Sequence, residues 1–446
     1  MAKIVIVGLG AGGFAAILAA RKTDRNAEIV VIDRKDYDLM HPCGIPYAVE
    51  GAIGSIDSLK HDLNMKAMRV AHYKNYIADN INLAEKTVRA HSAFSGDEEF
   101  FAYDKLIVST GSTPLVPPVE GLEALLGKGA FTVATPEDAA RLRAAARAIG
   151  KALVIGAGAI GLETASALSD MGCETTVVET LGGVFPRALD PDMAVILQQY
   201  LEEKKIALRL GSSVQAVRGS TQVEEAVVDG EAVPCSIVVV GAGVRPNSAL
   251  AADAGLNVSR FGVVTDKKML SSDPSVYAVG DCAETFDLIR KQRCWMPLST
   301  IAYRQGTIAG ANAAGADETF KGVVGAFVSK VGEMEIAAVG LTSQAAADAG
   351  FDPVIGKLKD LTRPDWYPNG REITVKVIAD KATRKVLGAQ AVGSGAAWRV
   401  NVVSAAISSG MTLEQLSDVE LAYCPPVSQT YDCLTKAADL AIRKIK

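Results

Sequence analysis

The chain has 446 residues, 49% of them hydrophobic and 6% aromatic, with 41 glycines, 17 prolines and a formal net charge of −5. That length exceeds what one hydrophobic core organises, so two or three domains are expected. The acidic balance, without a basic run, argues against nucleic acid and anionic membrane as partners. No apolar run reaches the roughly 18 residues of a membrane span; the best stretch, Leu153 to Leu168, is broken by glycines and by Glu163. The opening residues MAKIVIVGLGAGG read as a short strand entering a glycine turn rather than as a secretory leader. Seven cysteines without framework spacing suit a reducing compartment, and a cytoplasmic protein is expected.

Along the chain, KIVIVGLGAGGFAA, from Lys3, is a β-branched run, a G-x-G-x-x-G turn and an alanine-rich helix. AEIVVIDR follows as a second strand ending in Asp33. The next loop, DLMHPCGIPYAVEG, sets Cys43 between Pro42 and Gly44, and Pro46 suits the first turn of a helix. YDKLIVSTGSTPLVPP (103–118) reads as a strand, a glycine turn and a proline-rich crossover into a new domain. TPEDAARLRAAARAIG (135–150) is expected as a helix with its arginines in solvent. KALVIGAGAIGLETA, from Lys151, repeats the opening pattern, and CETTVVET repeats the second strand, ending in Glu179. CSIVVVGAGVRPN (235–247), which includes Gly243, is expected as the return crossover, and PSVYAVGDCAE (274–284) as a strand ending in Gly-Asp. From about residue 324 the texture changes: EITVKVIADKATRKVLGAQAVG (372–393) alternates as a β-hairpin, and helices rich in small residues follow.

The repeat has one physical reading in both copies. Gly8 and Gly156 make the tight strand-to-helix turn, Gly10 and Gly158 let the backbone approach a pyrophosphate, and Gly13 and Gly161 let helix and strand pack closely. The pyrophosphate sits at a helix N-terminus, where free N–H groups and the dipole favour an anion. Asp33 and Glu179, roughly 20 residues beyond the last glycine of each copy, would accept hydrogen bonds from ribose hydroxyls. Two copies in full strand, turn, helix, strand and acid context imply two dinucleotides and an α/β chain with two Rossmann-like domains. The histidines, at 41, 61, 72 and 91, show no ligand spacing and there is no C-x-x-C pair, so no metal site is expected.

Together, the two fingerprints, STGSTP and YAVGDCAE resemble the flavoprotein disulfide reductases with two dinucleotide-binding domains, over essentially the whole chain. The resemblance implies an FAD-binding domain (1–113 and 244–323), an inserted NAD-binding domain (114–243) and a C-terminal α+β dimerisation domain (324–446). It implies that Gly111 lines the flavin site and Asp281 bonds the ribityl chain, and Gly243 is counted with the nucleotide-binding set. The cysteine loop selects a branch. Gly44, Ile45, Pro46, Tyr47 and Ala48 follow Cys43, so neither C-x-x-x-x-C nor C-x-x-C is present. A lone cysteine followed by G-[IL]-P-Y is similar to the coenzyme A-disulfide reductase, NADH oxidase, NADH peroxidase and persulfide reductase branch. DWYPNG sets Tyr367 in that branch's Y-Y-P-G-like motif, and LAYCPPVSQTYD sets Tyr423 in its Y-A-P-P motif. In coenzyme A-disulfide reductases these tyrosines reach the cysteine of the other subunit, so a homodimer is implied.

The chemistry implied is NADH-dependent, FAD-mediated reduction of a disulfide or persulfide of a small thiol such as coenzyme A. A cysteine in this loop would lie over the flavin ring. A helix N-terminus favours a thiolate beside it; the thiolate attacks sulfur, and the mixed disulfide is resolved by reduced flavin. Cys424 replaces the usual alanine of the Y-A-P-P motif, either as a resolving thiol across the dimer or as a small buried residue beside prolines. Arg21, Lys22 and Arg25 either face a coenzyme A phosphate or end a solvated helix. TLGG after Glu179 has no immediate arginine for a 2′-phosphate, which favours NADH over NADPH, although Arg187 is close in sequence. Two rival readings stand beside the reductase. In the first, an NADH oxidase passes electrons to oxygen. Ala159 stands where tyrosine often covers the flavin, but GLGAGG lacks the histidine of the oxidase and peroxidase G-x-N-H-A-G. The second is an electron-transfer or redox-sensing flavoprotein, which would need neither Tyr367 nor Tyr423.

Overall fold

The computed structural model describes residues 2–445, which form two compact units. Residues up to 42, 57–113 and 244–323 make the first; residues 43–56, 114–243 and those from 324 onward make the second.

Strand β1 (Lys3–Val7) turns into helix α1 (Ala11–Thr23), followed by β2 (Glu28–Asp33). After the short helix α2 (Ile45–Glu50) come β3 (Val70–Lys74) and β4 (Lys105–Val108). The chain continues through β5 (Ala130–Phe131), α3 (Pro136–Ala146), β6 (Lys151–Ile155), α4 (Ala159–Asp170) and β7 (Glu174–Glu179). Next are α5 (Pro191–Glu203), β8 (Ala207–Leu210), β9 (Ile237–Val240), β10 (Val276–Ala278) and α6 (Ser299–Ala313). The C-terminal part holds β11 (Phe327–Val331), β12 (Met334–Gly340), β13 (Pro353–Leu361), β14 (Glu372–Asp380), β15 (Val386–Gly393), α7 (Ala396–Ser408) and α8 (Cys433–Arg443).

The first unit is built on a parallel sheet in the order β10-β4-β1-β2-β3. Its central strands are continuous apolar runs, Ile4–Val7 and Ile29–Ile32, buried throughout as a sheet covered on both faces requires. Helix α1 lies so close to α6 that a Cβ on Gly306 or Gly310 would come 2.1 Å from the carbonyl oxygen of Gly12 or Ala16. Small residues on both helices are the condition of that approach.

In the second unit the parallel sheet runs β5-β9-β6-β7-β8, with fingerprint strand and acid strand at the same places in the order. The internal repeat of the sequence is thus a repeat of topology: the chain is α/β with two Rossmann-like domains. The C-terminal sheet is antiparallel, β11-β12-β15-β14-β13, with β14 and β15 forming the expected hairpin, and completes an α+β C-terminal domain. A buried ion cluster fastens this sheet to the N-terminal end of α5. Lys376, 3% exposed, lies 2.8 Å from both Asp190 and Asp192. Ser343 and Gln390 complete the shell of Asp190. Burial pushes the Asp190 carboxyl up, but Lys376 and Ser343 outweigh it and hold the group below its ordinary value. Among the described residues no helix is long and apolar enough to cross a membrane.

Candidate active site

The two fingerprints repeat atom for atom in their constraints. Gly8 (φ +96°) and Gly156 (φ +104°) are left-handed, and a Cβ there would fall 2.3 Å from the Ser109 oxygen and 2.5 Å from the Gly241 oxygen. A Cβ on Gly13 would lie 2.3 Å from the Gly8 oxygen, and one on Gly161 2.0 Å from the Gly156 oxygen. Gly10 and Gly158 differ: a Cβ there meets nothing within 4 Å. Protein packing therefore demands glycine at the first and third positions, whereas the second faces open space at the N-terminus of α1 or α4. This is the cradle a pyrophosphate needs, so the residues present in each fold fit a dinucleotide.

The acids repeat as well. Asp33 accepts the Leu9 N–H at 2.6 Å and the Lys35 N–H at 2.9 Å. Glu179 accepts the Ala157 N–H at 2.8 Å and the Leu181 N–H at 2.9 Å. Each carboxylate is thus locked beside its glycine turn. The copies differ in one cation that sequence reasoning missed: the Lys35 ammonium bonds Asp33 at 2.6 Å and the Leu9 carbonyl at 2.9 Å. At the equivalent place after Glu179 stands Leu181, and Arg187 is exposed. Asp281, in the single turn Gly280–Cys282, accepts the Ser112 hydroxyl at 2.8 Å. Burial pushes its carboxyl up, and Ser112 returns part of that shift. Gly111 (φ +69°) and Gly243 (φ +103°) both have open space where a Cβ would stand. The Asn247 N–H donates to the Gly111 carbonyl at 2.9 Å and the Leu115 N–H to that of Gly243 at 2.9 Å, fixing the two crossovers.

Cys43 lies in a single turn, Pro42–Gly44, directly before α2; Pro46 occupies the first turn of that helix and left-handed Gly51 ends it. Helix α2 packs against α3 and α4. All seven cysteines are unpaired, and only Cys43 and Cys424 are exposed. Burial pushes the other thiols up, Cys235 to about 11 and Cys294 and Cys433 to about 12, which makes them inert. Cys424 is therefore not the small buried residue of one expectation: it is accessible, with its N–H donating to the Ser428 hydroxyl oxygen at 3.2 Å. Tyr367 is half-buried beside Trp366 and Arg363, and Tyr423 is 44% exposed. Trp366, Val427 and Tyr431 are exposed in the same domain. Arg21 donates to the carbonyls of Met68, Arg25, Ala27 and Arg69, so its guanidinium is occupied by the fold rather than turned to a phosphate.

One titratable residue went unread in the sequence. Glu163, in the middle of α4, accepts the Ser329 hydroxyl at 2.6 Å and has Tyr47 as a second hydrogen-bond partner. Burial pushes its carboxyl up to about 7. The available signal was an acid standing alone in the apolar helix after the second fingerprint.

With this geometry in view, the chain matches the family model described as pyridine nucleotide-disulphide oxidoreductase over residues 2–306, and the dimerisation domain of the same family over 328–433. An NADH oxidase of Methanocaldococcus jannaschii is 38% identical over 99% of each chain. An NAD(P)H coenzyme A polysulfide/persulfide reductase of Pyrococcus horikoshii is 33% identical over 97% of this chain and 96% of its own. Among solved structures, an NAD-dependent persulfide reductase from A. fulgidus superposes with a TM-score of 0.95 at 34% identity, over 99% of this chain and 83% of that one.

Proposed function

Because the chain belongs to the pyridine nucleotide-disulphide oxidoreductase family, FAD enzymes driven by NAD(P)H, we propose that it reduces a disulfide or persulfide of a low-molecular-weight thiol, with NADH as donor and Cys43 as the attacking group. The observation that carries this reading is the exposed thiol of Cys43 in the turn before α2, in a chain whose other cysteines, Cys424 apart, are buried. Relatives named for coenzyme A persulfide reduction support it, and coenzyme A is the thiol we favour.

Bound FAD supplies the two-electron relay between reduced nicotinamide and sulfur. The chain's residues bind and orient. Residues 1–113 and 244–323 hold FAD through Gly8, Gly10, Gly13, Asp33, Gly111 and Asp281. Residues 114–243 hold NADH through Gly156, Gly158, Gly161, Glu179 and Gly243. A carboxylate at Glu179 with no cation at Leu181 suits a free ribose diol better than a 2′-phosphate, hence NADH over NADPH. Attack of the Cys43 thiolate on R–S–S–R′ forms a bond to one sulfur and releases the other as a thiolate. The electron pair from NADH then breaks the mixed disulfide and releases the second thiol. Residues 324–446 would build a homodimer in which Tyr367 and Tyr423 approach the cysteine of the other subunit. Seven unpaired cysteines suit the cytoplasm.

An NADH oxidase is the second reading, favoured by the identity to the M. jannaschii protein and by Ala159, a small residue at the start of α4. Anaerobic NADH oxidation by the FAD-loaded protein separates the two, with coenzyme A disulfide, coenzyme A persulfide and polysulfide offered in turn. Turnover abolished by Cys43→Ser is expected. NADH consumption only in air, and independent of Cys43, would hand the protein to the oxidase or electron-transfer reading.

A further inference from the structure

Among the described residues the Glu163 carboxyl meets the hydroxyls of Ser329 and Tyr47 and no cation. Ser329 on β11 donates to its Oε1 at 2.6 Å, and Tyr47 on α2 shares a hydrogen bond with it. The Tyr47 hydroxyl also donates to the backbone carbonyl of Lys330 at 3.2 Å. A phenol has one proton to give. With that proton on the Lys330 carbonyl, the contact between Tyr47 and Glu163 is a hydrogen bond only if Glu163 supplies a proton of its own. A protonated Glu163 therefore satisfies all four groups. An ionised one leaves Tyr47 with two acceptors for one proton, and the carboxylate is the stronger.

The surroundings point the same way. Burial raises Glu163 to about 7 even though the Ser329 and Tyr47 hydrogen bonds lower it, and burial together with Glu163 raises Tyr47 to about 12. Other charges on the packed elements are engaged elsewhere or oppose ionisation. Glu50 on α2 raises Tyr47 further. The Lys330 ammonium pairs with Glu333 at 3.2 Å, and Asp170 of α4 pairs with Lys204 at 2.7 Å. Arg143 of α3 lies against Gly51, at the far end of α2.

We propose that Glu163 is a positioning residue for Cys43: protonated, it completes a chain from Glu163 through Tyr47 to the Lys330 carbonyl that pins α2 to β11, and ionised, it draws the Tyr47 proton to itself and releases α2 from β11 while leaving it bonded to α4. Tyr47 follows Cys43 by about one helical turn, so the tether fixes the turn that carries the thiol. The inference rests on the reading of Cys43 as the reactive group.

The test is backbone amide exchange of segment 43–56 in the full-length protein, read by mass spectrometry and taken as the ratio of wild type to Glu163→Gln at each pH. The ratio cancels the intrinsic pH dependence of exchange. Wild-type exchange should accelerate relative to the variant by roughly three- to tenfold, the worth of one hydrogen bond, with a midpoint near 7. Tyr47→Phe, which keeps the carboxyl but removes the relay, should abolish the step. Parallel pH profiles for wild type and Glu163→Gln, or a step that survives Tyr47→Phe, would overturn the proposal. If Glu163→Gln does not fold, Tyr47→Phe against wild type decides alone. Sulfur turnover indifferent to Cys43→Ser would sink the functional reading while leaving the exchange step in place, so the two failures are distinguishable.

Discussion

Alanine placed at Gly10 and at Gly13, in one fingerprint, should fail in opposite ways. Gly10 has an extended backbone (φ −100°, ψ −163°), and its Cβ would meet nothing within 4 Å. Any loss at this capping position is offset by the lower entropy of the unfolded chain, so stability should stay within about 0.5 kcal/mol. The methyl would instead fill the space where a pyrophosphate approaches α1. Losing two hydrogen bonds to a charged group costs about 3 kcal/mol or more, at least a hundredfold in FAD affinity. At Gly13 the new Cβ lies 2.3 Å from the Gly8 carbonyl oxygen, about 1 Å inside the 3.4 Å where ordinary contact begins. Helix α1 has no room to retreat, because Gly306 and Gly310 of α6 already sit against its backbone. The cost should reach the upper end of the 1–3 kcal/mol typical of overpacking, at about 3 kcal/mol. Flavin absorbance per protein after FAD loading, and the thermal midpoint of the apoprotein, read the two effects separately. Wild-type flavin content in Gly10→Ala, or an unchanged midpoint in Gly13→Ala, would refute the assignment of the two glycines.

Lys376→Met should destabilise the second unit by about 3–5 kcal/mol, because it strands the buried Asp190 carboxylate without its cation; thermal melts should show this, with part recovered in the double variant with Asp190→Asn. Asp190, Asp192 and Asp380 are held below their ordinary values, so their contribution is present above about pH 4 and lost as pH falls through the lowered folded values. The thermal midpoint should drop most steeply below about pH 4, and less steeply in Asp190→Asn. Glu163 has the opposite sign: raised from 4.5 to about 7, it makes stability fall as pH rises across that window. The fall is at most about 3 kcal/mol at 1.36 kcal/mol per unit and should be absent in Glu163→Gln. Ellman's reagent should find no more than two of the seven thiols in the native protein and all seven in denaturant.

Both nucleotide folds were legible because their constraints are written in residue identity. A left-handed turn, a carbonyl in the way of a Cβ and an acid at the end of the neighbouring strand leave little choice at Gly8, Gly13 and Asp33. The hairpin of β14 and β15 was legible from alternation. Buried polar partnerships were not. Glu163 bonds Ser329 across 166 positions, and Asp190 bonds Gln390 across 200, so each looks like an interruption of an apolar pattern until the partner arrives. Lys35 is a surface lysine by pattern but closes onto Asp33. The cysteine segment was legible as a turn and a short helix, whereas its packing on α3 and α4 depends on surfaces that local sequence does not encode.

The fold cannot choose the electron acceptor. Proteins named for oxygen and for persulfide chemistry are both similar to this chain over nearly its full length. The architecture they share leaves the electron acceptor to be decided by local side chains. The first fingerprint carries Ala11 and no histidine, in keeping with the reductase reading proposed above. On the proposed reading, exchanging Cys43, Ala11 and Ala159 with their counterparts in relatives of the two kinds should move activity without moving the fold.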